Sequence, residues 1–429
     1  MHMKLLVSSV RVIDKQSPFH GQVKDILIED GKIKQIGDSL DAGTAQVVDG
    51  HGLCVSAGWV DMRVQGRDPG FEHKEDLHSV RQAAAHGGFT EVVLLPNTQP
   101  VVDTKDTLNY IRHSGFGGLV TLHPAAAVTR KADGVDFTEM MDLHQAGAIA
   151  FTDGENPVQN ADLLLKTILY LRPLNALLIN RPEDRELTLY GQMHEGVTST
   201  LVGMKGMPAL AEEMMLIRDL KLLEYALEKN TYDTTAPVLH VSLLSTVRGV
   251  ELVREAKAKG LPVSADIAAH QLAFEDKDLI TFDTNLKVNP PFRSAEDNAA
   301  LRQGLADGTI DALVSDHNPH DEESKNLEFD HADFGITALE TAFALAVMHS
   351  GLVVDDIVEK LAVQPRRILR LPQVSLAEGA AANLTFFDPN AEWVFGGSYS
   401  KSKNTPFLGQ TLRGKVRGVI NNGKQEWFK

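Results

Sequence analysis

The chain has 429 residues, 43% of them hydrophobic and 23% charged, with a formal net charge of −16. That length exceeds what one core usually organises, so a large unit plus a smaller one is expected. The acidic balance speaks against nucleic acid and anionic membranes as partners. Cys54 is the only cysteine, which excludes an intrachain disulfide and a cysteine-based zinc site and fits a reducing, cytoplasmic setting. The N-terminal stretch has no apolar signal core, and no run of about 18 uncharged apolar residues follows, so neither secretion nor a membrane span is expected.

Residues 1–55 read as short β-hairpins. In "VKDILIEDGKIKQIG" two alternating runs are joined by a turn at Glu29-Asp30-Gly31, where glycine permits positive φ. Residues 371–429 read the same way, with a second hairpin turn at Asn421-Asn422-Gly423. Between these ends, strand-like runs alternate with helical ones. Strands are expected at 58–64, 91–95, 119–123, 148–152, 176–180, 238–242, 261–266 and 312–315, and helices such as "KEDLHSVRQAAAHGG" close on glycine. This order predicts a (β/α)8 TIM barrel over 56–370 joined to a small β-sandwich made from 1–55 plus 371–429. A doubly wound open sheet is the competing architecture. In the first strand, "GWVDMRVQG", period-two alternation puts Val60, Met62 and Val64 on one face and Asp61, Arg63 and Gln65 on the other.

Polar residues gather at the strand ends. The first strand runs into Arg63, Gln65 and Arg67, the second into Asn97, the fourth into Asp153 and the fifth into Arg181. His240 interrupts the sixth, Asn289 follows the seventh, and Asp316, His317 and His320 follow the eighth. In a barrel these ends converge on one mouth, where such enzymes hold their chemistry. Each residue also has a plain structural role open to it. His240 could be a hydrogen-bonded core histidine, and Asp153 or Asp316 could serve a turn or a helix cap.

The segments "RDPGFEHKEDLHSVRQAAAHGGFTEVVLLPNTQPVVD", "AFTDG", "RPEDREL", "GMKGMPALAEE", "KVNPPFRSAED", "DALVSDHNPHDEESK" and "SKSKNTPFLGQTLRGKV" together resemble a dihydroorotase of the long, class I type within the amidohydrolase superfamily. The resemblance spans essentially the whole chain. It implies reversible closure of N-carbamoyl-L-aspartate to dihydroorotate in pyrimidine synthesis. It also implies metal ligation by Asp153, His240 and Asp316, with Asp316 as proton shuttle, and substrate binding by Arg67, Asn97, Asn289 and His320. Hydantoinase-like relatives carry a carbamylated lysine where this chain has Asp153.

Three positions depart from the family pattern. Its opening His-x-His-x-Arg is Arg63-Val64-Gln65-Gly66-Arg67 here, and its histidine before "PED" is Arg181. Arginine has no lone pair to give a metal, and glutamine offers only a weak neutral oxygen. The expectation is therefore a lost metal centre and no cofactor, with Arg63 or Arg181 neutralising Asp153 or Asp316 in the space the metals would fill. The pattern is similar to that of non-catalytic dihydroorotase-like homologues, which act as structural partners of aspartate transcarbamoylase, and a homo-oligomer is expected. Two alternatives stay open: an active dihydroorotase with a reduced zinc site using Asp153, His240 and Asp316 with His317 or Gln65, and a binding module for dihydroorotate or carbamoyl-aspartate.

Overall fold

The computed structural model describes residues 4–228 and 236–429. Both hairpin turns form where glycine was expected to allow them. Asp30 and Gly31 take φ of 49° and 75°, and Asn422 and Gly423 take 52° and 71°, the left-handed pair that matches strand twist in a two-residue turn. The hairpins belong to one sheet drawn from both chain ends. Its order is Lys424–Trp427, Thr411–Asn421, Leu384–Val394, Cys54–Ala57, Lys4–Val12, Val23–Glu29 and Lys32–Gly37, with Gln46–Asp49 alongside Lys4–Val12. The junction between N- and C-terminal strands is antiparallel, Ser56 opposite Thr385.

The barrel strands in the middle of the chain fall into two parallel sheets. One contains Trp59–Val64, Phe89–Leu94 and Thr121–Pro124; the other contains Leu178–Asn180, Leu239–Val241, Val263–Ala268 and Ala312–Val314. Single bridges join them into a barrel. Phe151 pairs with Ala126 on one side and Leu178 on the other, and Val64 pairs with His317 across the opposite seam. The strand expected at 148–152 is thus reduced to one pairing residue. Gly147 and Gly154, with φ of 102° and 66°, turn the backbone at both ends of this segment and leave little extended length between them.

The first strand departs from simple alternation. Its pairing register shifts between Asp61 and Val64, and a bulge of this kind re-aims the side chains beyond it. Val60 and Met62 join Val93, Ala125 and Ala150 in a cluster inside the barrel, whereas Val64 packs with Phe89 and Val92 under the helices. The expectation that Val60, Met62 and Val64 share one face is therefore corrected. Trp59, wholly buried, anchors the base of this strand. Its ring centroid lies 4.7 Å from Phe343 and 5.3 Å from Phe387, tying the barrel to the terminal sheet. A fully buried ring of that size contributes about 5 kcal/mol of gross burial energy.

Candidate functional site at the barrel mouth

The seam between first and eighth strands creates the site. Gln65 N donates to His317 O at 2.9 Å. Below it the Asp61 carboxylate accepts from Arg63 N at 3.0 Å and Ser315 N at 3.1 Å. Burial pushes the Asp61 pKa up to about 7. These bonds hold residues 63 and 316 side by side although 253 positions separate them. Arg63 Nε donates to Asp316 Oδ1 at 2.8 Å, with both side chains nearly buried. Burial raises the Asp316 pKa to about 6, against the pull of Arg63.

The other expected partnership does not form. The Arg181 guanidinium pairs with Glu183 at 2.6 Å and donates to Glu155 O at 2.9 Å, so it meets neither Asp153 nor Asp316. Asp153 instead accepts from Thr129 N at 2.9 Å and Thr129 Oγ1 at 2.6 Å. Burial raises its pKa to about 6, and the Thr129 bonds only partly oppose that.

His240 is enclosed, with 0% exposure. Its Nδ1 lies 2.8 Å from Ser264 Oγ and its Nε2 lies 2.8 Å from Asp266 Oδ2. His317 likewise points away from the mouth, to Glu75 at 3.1 Å and Ala338 N at 3.2 Å. The Gln65 amide is buried and finds no protein partner.

As positioned, these side chains do not fit a zinc ion. A guanidinium rests on Asp316, both His240 nitrogens face protein partners, and Asp153 is held by Thr129. Among the described residues no group of three His, Cys, Asp or Glu side chains is arranged to hold a metal.

What remains is a charged cavity of about 390 Å³. Five cations line it (Arg63, Arg67, Lys74, Arg181 and Arg185) against four carboxylates (Glu155, Glu183, Asp316 and Asp333). Most are already paired. Arg67 sits in a left-handed conformation, φ 58°, and its guanidinium bonds Asn318 and lies 3.2 Å from His320 Nε2. His320 Nδ1 is 3.0 Å from Asp333, which also pairs with Lys74 at 3.2 Å. Burial opposes charge on Glu155, yet the surrounding Arg67, His320, Arg63 and Arg181 hold its pKa below the ordinary carboxylate value.

Of the expected substrate residues, Arg67, Asn289 and His320 line the cavity. Asn289 Nδ2 reaches Glu183 at 3.2 Å. Asn97 is committed elsewhere: its Nδ2 donates to Asp153 O and its Oδ1 accepts from Glu155 N, both at 3.0 Å. The residues that sequence reasoning missed are mainly carboxylates and amides (Glu155, Glu183, Asn318 and Asp333). Glu155 and Glu183 stand two residues beyond Asp153 and Arg181, close enough in sequence to have been weighed as their partners.

Residues 52–230 match a family model described as dihydro-orotase-like, and residues 191–425 match the amidohydrolase family. A dihydroorotase of Pelotomaculum thermopropionicum is 41% identical over 430 residues, covering 98% of each chain. The chain belongs to the dihydroorotase family of the amidohydrolase superfamily. A family member from Syntrophus aciditrophicus, also named dihydroorotase, is 39% identical over 98% of this chain and 99% of its own. Among solved structures, the L-hydantoinase (dihydropyrimidinase) of Arthrobacter aurescens superposes with a TM-score of 0.84 at 22% identity, covering 100% of this chain and 98% of that one. That likeness concerns the fold, a TIM barrel with a β-sandwich.

Proposed function

We propose that this dihydroorotase-family protein serves pyrimidine biosynthesis without catalysing the ring closure itself, as a structural partner of aspartate transcarbamoylase. The Arg63–Asp316 ion pair carries the reading. Reversible hydrolysis of the dihydroorotate amide needs a polarised carbonyl, an activated water and a free carboxylate to move the proton. Here the carboxylate in the shuttle position is engaged by a fixed cation, and Arg63, Gln65 and Arg181 offer no strong ligand atom.

Three measurements test this together: zinc content of the purified protein, turnover in both directions with added zinc, and gel filtration with aspartate transcarbamoylase. The expected outcome is substoichiometric zinc, no turnover above an Asp316→Asn variant, and co-elution. Zinc-dependent turnover lost in Asp316→Asn would establish the active alternative. A protein that elutes apart from the transcarbamoylase would remove the partnership.

A second reading rests on the cavity: Arg67, Arg181 and Arg185 face a space able to admit a small mono- or dicarboxylate. Calorimetry with dihydroorotate and carbamoyl-aspartate tests it. Heat that disappears in Arg67→Met supports binding without turnover, and no heat at millimolar ligand sinks it.

A further inference from the structure

Three of the four cavity carboxylates are committed to close ion pairs. Asp316 pairs with Arg63 at 2.8 Å, Glu183 with Arg181 at 2.6 Å and Asp333 with Lys74 at 3.2 Å. The uncommitted charges are two guanidinium groups and one carboxylate. Arg67 bonds Asn318 and meets the His320 ring, and its buried Nε has no partner. Arg185 bonds neutral acceptors, Asn156 Oδ1 at 2.6 Å and Glu155 O at 3.2 Å. The Glu155 carboxylate stands 4.0 Å from Arg67 Nη1, beyond hydrogen-bond reach. A neutral donor holds it instead, Asn318 Nδ2 at 2.8 Å.

Backbone contacts fix where that carboxylate can be. Gly154, at φ 66°, turns the chain towards the mouth. Glu155 N then donates to Asn97 Oδ1 at 3.0 Å, and Glu155 O accepts from Arg181 at 2.9 Å as well as from Arg185. The side chain remains 36% exposed and lines the cavity. Any carboxylate that seats on Arg67 must therefore share the cavity with this resident anion.

We propose, on the reading of this cavity as a small-carboxylate site, that Glu155 selects the ligand by charge, admitting a monocarboxylate and opposing a dicarboxylate. The three close pairs are internally balanced, so Arg67 and Arg185 against Glu155 leave one positive charge. A ligand with one carboxylate neutralises it. A second carboxylate has no uncommitted cation to meet, and it faces Glu155 in a space of about 390 Å³, where water screens poorly. Repulsion of this kind discriminates by weakening the wrong ligand rather than by tightening the right one. Dihydroorotate carries one carboxylate and carbamoyl-aspartate carries two, so Glu155 separates them.

Calorimetry on the full chain at pH 7.5, with dihydroorotate and carbamoyl-L-aspartate in parallel, tests the assignment. Wild type binds dihydroorotate the more tightly. Glu155→Gln keeps the shape of the side chain, leaves two positive charges, and shifts the affinity ratio by about tenfold or more towards carbamoyl-aspartate. Glu155→Asp, which keeps the charge, keeps the wild-type order. Circular dichroism checks the fold, and Glu155→Ala gives the same shift if Glu155→Gln folds poorly. A purely structural role would weaken both ligands together and leave the ratio alone. A ratio that moves less than about threefold in Glu155→Gln, with heat still lost in Arg67→Met, overturns the charge selection and leaves the binding site standing. A wild type that prefers carbamoyl-aspartate overturns it as well. No heat from either ligand, in wild type or in Glu155→Gln, removes the binding site and the charge selection with it.

Discussion

Replacing Arg63 by methionine removes the guanidinium and leaves Asp316 buried at 9% exposure. Truncating one partner of a buried pair costs about 3–5 kcal/mol when the survivor must stay charged. Asp316 has an escape, because its pKa already stands near 6. Without Arg63 that value rises further, the carboxyl takes a proton, and protonation caps the cost near 2 kcal/mol at pH 7.5. For a chain of this size the loss amounts to a fall of roughly 2 °C in Tm. The sign follows from linkage: the pKa is higher in the variant, so its penalty grows as pH rises above 6 and shrinks below it. At pH 5.5 the wild-type and variant Tm values should therefore converge. A double-mutant cycle with Asp316→Asn, followed by thermal and urea unfolding, isolates the pair. The expected coupling is about 1.5–2 kcal/mol. A coupling below about 0.5 kcal/mol, or an Arg63→Met penalty equal at both pH values, would refute the claim that this arginine neutralises Asp316.

Three further expectations concern the same region. Asp153 has a raised pKa, about 6, and its carboxylate is held by neutral donors, chiefly Thr129 N and Oγ1. Its charged form therefore costs stability that is relieved as pH falls from about 7 towards 4, and Asp153→Asn should raise the Tm at pH 7.5 but not at pH 4.5. Gly154 at φ 66° admits no Cβ without a contact of 1.8 Å to Asn97 Oδ1, so Gly154→Ala should cost about 2–3 kcal/mol in unfolding experiments, and pairing it with Asn97→Ala should recover part of that. The buried Gln65 amide has no protein partner, so Gln65→Met should leave stability unchanged or raise it by about 1 kcal/mol; a loss beyond about 1 kcal/mol would mean that the amide is solvated or bonded after all.

The architecture was legible because its signals are local. Turn glycines marked both hairpins, and apolar runs separated by helical patterns marked the barrel. The bulge in the first strand was not legible, since a register shift depends on the neighbouring strand and leaves the polar and apolar order unchanged. The fate of the charges was legible in part. That Asp316 needed a cation followed from replacing histidine with arginine at 63, but the choice between Arg63 and Arg181 depends on reach. Arg63 sits on the strand that closes against residue 317, while Arg181 has Glu183 two residues away. Likewise His240 could be read as a ligand or as a core histidine. Its ring is held by Ser264 and Asp266 of the next strand, a pairing set by the register of Leu239–Val241 against Val263–Ala265.

The antiparallel junction of Ser56 with Thr385 has a consequence in time. About 330 residues separate these partners, and at roughly 5–20 residues per second a ribosome takes about 15–65 s to bridge that interval. Throughout it the strand Cys54–Ala57 offers one edge to whatever is near. The first strands made are thus among the last to be sealed, and the nascent chain needs either a chaperone or fast barrel formation to keep that edge from pairing with a stranger.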